Sequence, residues 1–288
     1  MKRSFSVRMK EYRRDPLSFI LKLAVWLAAA VTVTALVFVI VYILIKGIPH
    51  LKPELFALKY NSENVSLTPA LINTLFMTVL SLLIAVPVGI GAAVYLTEYA
   101  RRGNKLVGAV RVTAETLSGI PSIVYGLFGS LFFVKALHLG LSLLSGALTL
   151  GIMILPLIMR TTEEALTAVP DSYREGSFGL GAGRLRTVFK IVLPSAVPGI
   201  LSGVILGIGR IVGESAALIF TAGTVAEIAS TPMKSARTLS VHMYVISGEG
   251  LYIDQTYATA VVLLVFVVII NALSSFAASR IGRNKENG

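Results

Sequence analysis

Cysteine is absent from this 288-residue chain, which excludes disulfide frameworks and thiolate metal sites. Histidine is scarce: His50, His138 and His242 lie far apart, and no metal-ligand spacing links them. Charged residues make up only 14%, against about 25% in a soluble domain. With 55% hydrophobic residues, that deficit excludes an ordinary water-soluble core and leaves an integral membrane protein. No G-x-x-x-x-G-K-[ST] stretch occurs. Gly179-Leu-Gly-Ala-Gly-Arg184 comes near it, but without the Lys-Ser/Thr and without a preceding strand it is a poor phosphate cradle. Tandem repeats and low-complexity tracts are also missing.

What is present is a set of long apolar runs. A bilayer core needs about 20 apolar residues in helix, and six segments qualify: 23–45, 69–96, 112–137, 141–159, 196–220 and 257–278. They are continuous, without the alternation of a barrel strand, so an all-α membrane protein of six transmembrane helices is expected. The first run exceeds a signal-peptide core of about 7–15 residues and reads as a retained span.

The net charge of +11 is distributed as a topology signal and not as a nucleic-acid patch. Lys2, Arg3, Arg8, Lys10, Arg13, Arg14 and Lys22 precede the first span, and Arg101, Arg102, Lys105 and Arg111 follow the second. Arg160, Arg174, Arg184, Arg186 and Lys190 follow the fourth, and Arg280, Arg283 and Lys285 end the chain. The opposite loops carry only Lys46, Lys52, Lys59, Lys135, Lys234 and Arg237. By the positive-inside rule both termini are cytoplasmic in a multi-pass plasma-membrane protein. The expected organisation is a basic cytoplasmic tail (1–22), a first span (23–46), an extracytoplasmic loop (47–68), a five-span core (69–280) holding a cytoplasmic loop (163–194), and a short cytoplasmic tail (281–288). A second long extracytoplasmic segment, 221–256, has room for short helices.

The polar loop 175–194 is wedged between apolar runs. Pro170 and Asp171 suit a helix start, and Gly179, Gly181 and Gly183 interrupt the helix. A second helix is expected over 184–192, with Leu185, Val188, Phe189 and Val192 on one face and Arg186 and Lys190 on the other. Such a helix can lie on lipid headgroups; a glycine-bent pair between two spans also suits a protein-docking knob. Pro194 marks the return to the membrane.

The loop resembles the "EAA" loop of ABC importer permeases: Glu-Ala-Ala, three residues, Gly, nine residues, Ile-x-Leu-Pro. Glu175, Gly181, Ile191, Leu193 and Pro194 match at that spacing, with Gly176 and Ser177 in place of the two alanines. Other strings narrow the resemblance: Leu117-Ser-Gly-Ile-Pro-Ser-Ile-Val-Tyr-Gly126, Tyr95-Leu-Thr-Glu-Tyr-Ala100, Arg160-Thr-Thr-Glu-Glu-Ala-Leu-Thr-Ala-Val-Pro170 and Gly209-Arg210-Ile-Val-Gly213-Glu214-Ser215-Ala216. Together they resemble phosphate ABC transporter permeases of the PstA type, over most of residues 70–275. The resemblance implies a type I importer permease fold with cytoplasmic coupling helices. It also implies docking through Glu175, Gly176, Ser177, Gly181, Leu185, Phe189 and Pro194 onto a separate PstB-type ATPase that holds ATP and Mg. Further implied partners are a PstC-type second permease, a soluble phosphate-binding protein, phosphate and membrane lipid; no cofactor is expected on this chain.

Arg210 and Glu214, four apart in the fifth span, are expected to share a helix face. Arg210 lies roughly 21 Å from Ala196 along the helix, where an isolated charge costs about 2.5–3.5 kcal/mol. The pair is either a self-neutralising lock or a path site, in which Arg210 attracts phosphate and Glu214 accepts a hydrogen bond from its protonated form. The Gly119-Ile120-Pro121-Ser122 stretch is expected to break the third span, as a packing kink or as a way to aim amides, with Ser122, at an anion. Pro87 and Pro156 read as kinks, and Glu98 and Glu115 as surface partners of Arg101 or Arg111. Alternatives are a permease for sulfate, molybdate or phosphonate, and a stand-alone secondary transporter. An intramembrane enzyme lacks the nucleophile–base pair or metal ligands that it needs.

Overall fold

The computed structural model describes residues 16–101 and 103–286. Lys2, Arg3, Arg8, Lys10, Arg13, Arg14 and Arg102 lie outside the described residues, as do the side chains of Arg283 and Lys285. All regular structure within them is helical. Five helices are long and apolar enough to cross a membrane, and a bent helix pair makes a sixth candidate.

The first helix, α1 (Pro16–Gly47), already covers the residues ahead of the expected boundary at 23. Trp26, Val31 and Phe38 are exposed along α1, an apolar surface suited to lipid. Three helices form the centre: α2 (Thr68–Val94), α5 (Leu143–Thr167) and α8 (Leu193–Gly213). Met77 of α2, Leu150, Met153 and Ile154 of α5 and Ile211 of α8 close one buried cluster. In a bilayer such contacts stabilise through packing, since lipid tails are as apolar as the side chains. Pro87 and Pro156 stand inside α2 and α5.

Two expected spans are broken. The third divides into α3 (Lys105–Ser118) and α4 (Ser122–Gly129), bent by 103°. Pro121 sits at the break with extended backbone, as its lack of an N–H and the restriction on its neighbour require. The fifth span, expected over 196–220, stops at Gly213, and the short α9 (Ala216–Thr221) follows after Glu214 and Ser215. α4 and α9 pack closely: a Cβ on Gly126 would lie 2.7 Å from Ala217 Cα, so only glycine fits that crossing.

Segment 222–238 is more ordered than its loop-like composition suggests. It folds against the starts of α2 and α5. Leu143 and Leu144 N–H groups donate to the Lys234 and Pro232 carbonyls at 2.9 and 2.8 Å, satisfying amides that a helix start leaves unpaired. Asn73 Nδ2 donates to the Glu227 carbonyl at 2.8 Å, Asn73 Oδ1 accepts from Ala229 N at 3.0 Å, and Thr74 Oγ1 accepts from Leu239 N at 2.8 Å. The chain then forms α10 (Leu239–Glu249) and the last long helix, α11 (Ile253–Glu286).

Candidate functional site

The loop between α5 and α8 is a helix, a bend and a helix. α6 (Asp171–Gly179) opens with Asp171 in its first turn, where its charge complements the helix dipole. Gly181 then takes φ +81°, a left-handed conformation that costs other residues roughly 1–2 kcal/mol. α7 (Arg184–Thr187) follows and continues through a wide π turn (Val188–Val192) straight into α8. The second loop helix is therefore not a separate element, and Pro194 does not interrupt the run.

The expected apolar ridge divides in two. Val188 and Val192 turn inward, onto Val94 and Leu96 at the end of α2, Val107 of α3 and Leu166 of α5. Leu185 and Phe189 point outward with Leu180 and Phe178, and all four are exposed. Arg186, Lys190, Glu175 and Gly176 are exposed too. Ser177, which the resemblance implies among the docking residues, is instead buried: its Oγ lies 2.8 Å from Thr187 Oγ1, tying α6 to α7.

One side chain fastens this loop to the bundle. Arg174 of α6 meets Glu98, in a π turn (Tyr95–Tyr99) that extends α2, with Nη2–Oε1 at 2.6 Å. Its Nη1 and Nη2 also donate to the Val169 and Leu166 carbonyls at 2.8 and 2.9 Å. The pair is largely buried, and Glu98 raises the Arg174 pKa through their hydrogen bond. Glu98 is thus not a surface partner of Arg101 or Arg111. Arg111 pairs instead with Glu163 of α5, and Glu115 has no ion pair within 4.0 Å among the described residues. Arg184 adds a second fastening, 5.5 Å from the centre of the Tyr99 ring.

In the bundle, Arg210 and Glu214 do not form the expected helical pair. α8 ends between them, and Glu214 has extended backbone. Glu214 Oε1 accepts from Ala217 N at 3.1 Å, capping α9, and the Glu214 carbonyl accepts from Ser240 Oγ of α10. The carboxylate holds the break together and does not neutralise Arg210. Arg210 is half-buried, with no ion pair or hydrogen bond among the described residues. It lies within electrostatic reach of Tyr125, one turn beyond Ser122 on α4, so the break in the third span faces the break in the fifth. Tyr125 Oη donates to the Leu117 carbonyl at 2.7 Å, bridging that first break. Asn271 of α11, beside Gly209, keeps a buried Oδ1 without a hydrogen bond. Tyr125 belongs to the string 117–126 that carries the resemblance, whereas Asn271 has no local sequence signal beyond polarity inside an apolar run.

A second polar cluster lies at the other end of α2. Arg237 is 4% exposed, and its Nε and Nη2 have no hydrogen-bond partner. No carboxylate of the described residues comes within ion-pair distance of it. Its guanidinium lies 4.4 Å from the Tyr60 ring centre, a contact worth about 2 kcal/mol when dry, against several kcal/mol for burying the charge. His242 of α10, fully buried, stacks edge-on to Tyr60, and neither ring nitrogen makes a hydrogen bond of good geometry. Burial and then the Arg237 charge push its pKa down to about 3, so the ring is neutral. Val65, whose backbone carbonyl acts on that ring, has φ +45°, an outlier for a β-branched residue.

A family model described as binding-protein-dependent transport system inner membrane component matches residues 85–286. A relative described as probable ABC transporter permease protein YqgI, from Bacillus subtilis, is 33% identical over 273 residues, 88% of this chain and 92% of the relative. The phosphate transport system permease protein PstA of Pasteurella multocida is 41% identical over 179 residues, 62% of this chain and 63% of that protein. A chain of the bacterial alginate ABC transporter, crystallised with an alginate-bound periplasmic protein, superposes with TM-score 0.63 at 18% identity, over 95% of this chain and 97% of that one. That likeness is one of fold.

Proposed function

The chain belongs to the family of binding-protein-dependent transport system inner membrane components, and on that premise we propose that it is the PstA-type permease of an ATP-driven phosphate importer. It is a membrane-embedded importer component with the permease fold. The phosphate assignment draws support from the PstA-named relatives and from Arg210, a fixed cation left unneutralised between two broken spans.

The observation that carries the reading is the loop 171–192. It presents Phe178, Leu180, Leu185 and Phe189 outward while its inner face is bolted to α2 and α5. Exposed apolar side chains on a rigid, charged-rimmed knob suit a docking surface. The proposed partner is an ATPase subunit that binds ATP and Mg; a second permease and a soluble phosphate-binding protein complete the importer, with both termini of this chain in the cytoplasm. Closure of the ATPases pushes the loop. Because α7 and α8 are one helical run, that push reaches Arg210 without passing through a flexible joint, and Arg174 delivers it to α2 and α5. Alternating access then follows: the path opens outward to accept phosphate and resets inward after hydrolysis.

Reconstitution tests the reading. Proteoliposomes holding both permeases, the ATPase, the binding protein and ATP should import radiolabelled phosphate, and leaving out ATPase or ATP should reduce import to background. Import that persists without them would leave a stand-alone transporter, and preferred import of sulfate would replace the cargo.

The knob has its own test. Gly181→Val should abolish co-purification of the ATPase with the permeases, because a β-branched residue resists φ +81°. No atom stands within 4 Å of the added Cβ, so the variant should still insert and fold. Undiminished co-purification would remove the bend from the docking surface.

A further inference from the structure

Arg237, His242 and Tyr60 form a compact group that the path around Arg210 does not use. Asn73 fixes where it lies. Its Nδ2 donates to the Arg237 carbonyl at 3.3 Å, at the start of α2, whereas Glu98 and the Arg174 latch lie at the other end. Asn73 and Glu98 are separated by roughly 37 Å along that helix. The cluster therefore sits on the end of the bundle opposite the loop 171–192, the end to which the charge pattern assigns the exterior.

We propose that this cluster is a second anion station, built for a protonated tetrahedral oxyanion such as hydrogen phosphate. The inference rests on the phosphate reading above for the identity of the oxyanion, though its chemistry stands on the cluster itself. The Nε and Nη2 atoms of Arg237 supply donors in the fork geometry that suits an oxyanion edge. A neutral imidazole offers one donor and one acceptor. The acceptor has a matching group only in an anion that carries its own O–H. Sulfate and chloride have none, so they leave the imidazole acceptor unmet. The face of Tyr60 covers the buried guanidinium, and the strained, buried Val65 meets the imidazole from the segment before α2. Backbone strain of this kind concentrates at ligand-holding sites. Three residues after Arg237, Ser240 donates to the Glu214 carbonyl, so α10 joins the station to the break beside Arg210. The arrangement is that of two cationic stops in series, the outer one reached when the segment carrying Tyr60 and Val65 moves aside.

The test uses the full importer complex without nucleotide or binding protein, carrying Arg210→Gln so that the inner cation does not contribute. Thermal unfolding is followed against inorganic phosphate, sulfate and chloride at matched ionic strength. Phosphate should raise the midpoint at concentrations at least tenfold below those of the other two. His242→Leu and Arg237→Gln should each weaken the phosphate response tenfold or more, and His242→Gln, which keeps a donor and an acceptor, should retain it. If the Arg237 variant does not assemble, His242→Leu decides alone. Equal responses to the three anions, or an unchanged phosphate response in the decisive variants, would overturn the station. Wild-type uptake of radiolabelled phosphate, measured alongside, separates the two readings. A phosphate response without phosphate uptake removes the cargo assignment and leaves the station; uptake without the response removes the station alone.

Discussion

Replacing Arg210 with Gln should lower ATP-driven phosphate uptake by about thirtyfold or more while the importer complex still assembles. The magnitude follows from losing a charged contact to an anion in a desolvated path, about 2–5 kcal/mol, at 1.4 kcal/mol per factor of ten. The second half of the expectation comes from the structure. Arg210 makes no ion pair or hydrogen bond among the described residues, so removing it orphans no partner, and Gln keeps a polar tip at a half-buried position. Glu214→Gln should be milder, since an amide oxygen can still accept from Ala217 N. Uptake by reconstituted vesicles and recovery of the intact complex are the two measurements. Normal uptake, or loss of assembly, would make Arg210 a structural charge.

Arg174→Ala should destabilise the permease by about 3–5 kcal/mol, because it leaves the Glu98 carboxylate buried and unpaired. The Leu166 and Val169 carbonyls lose their donor as well. A buried pair replaced as a whole behaves differently: an apolar pair of similar volume is often neutral or stabilising. Arg174→Met with Glu98→Leu should therefore recover the thermal midpoint. It should not recover coupling, because side chains that slide past one another do not hold the loop in register with α2. ATP hydrolysis by the reconstituted complex should persist while phosphate uptake falls at least tenfold. Coupled uptake at the wild-type ratio in the double variant would reduce the pair to a packing element.

The fold class was legible because bilayer thickness imposes its own length on apolar runs, and the broken third span announced itself through Gly119 and Pro121. The broken fifth span had a quieter signal. Gly213 and Ser215 flank Glu214 as a helix stop and a helix start would, but an unbroken apolar background hid them. The loop is legible in Glu175, Gly181 and Pro194, but the split of its apolar ridge is not, since three- and four-residue spacing assumes a regular helix and Val188–Val192 is a π turn. Arg174 and Glu98 are separated by 76 positions, and no local pattern links them. The same holds for Asn73 and the segment 227–239 that it grips. Local periodicity reports what faces inward; which two inward-facing groups meet is decided by packing.

α2 is gripped at both ends, by Arg174 at Glu98 and by the 222–239 segment at Asn73 and Thr74. Energy exchanged along such a strut flows both ways. If nucleotide on the far side alters the hold on cargo by some factor, thermodynamic reciprocity requires cargo to alter the hold on nucleotide by the same factor. In an importer of the proposed kind, such a helix would make the exterior an input to the ATPase as well as its output, and the availability of anion outside would be information that the motor inside receives.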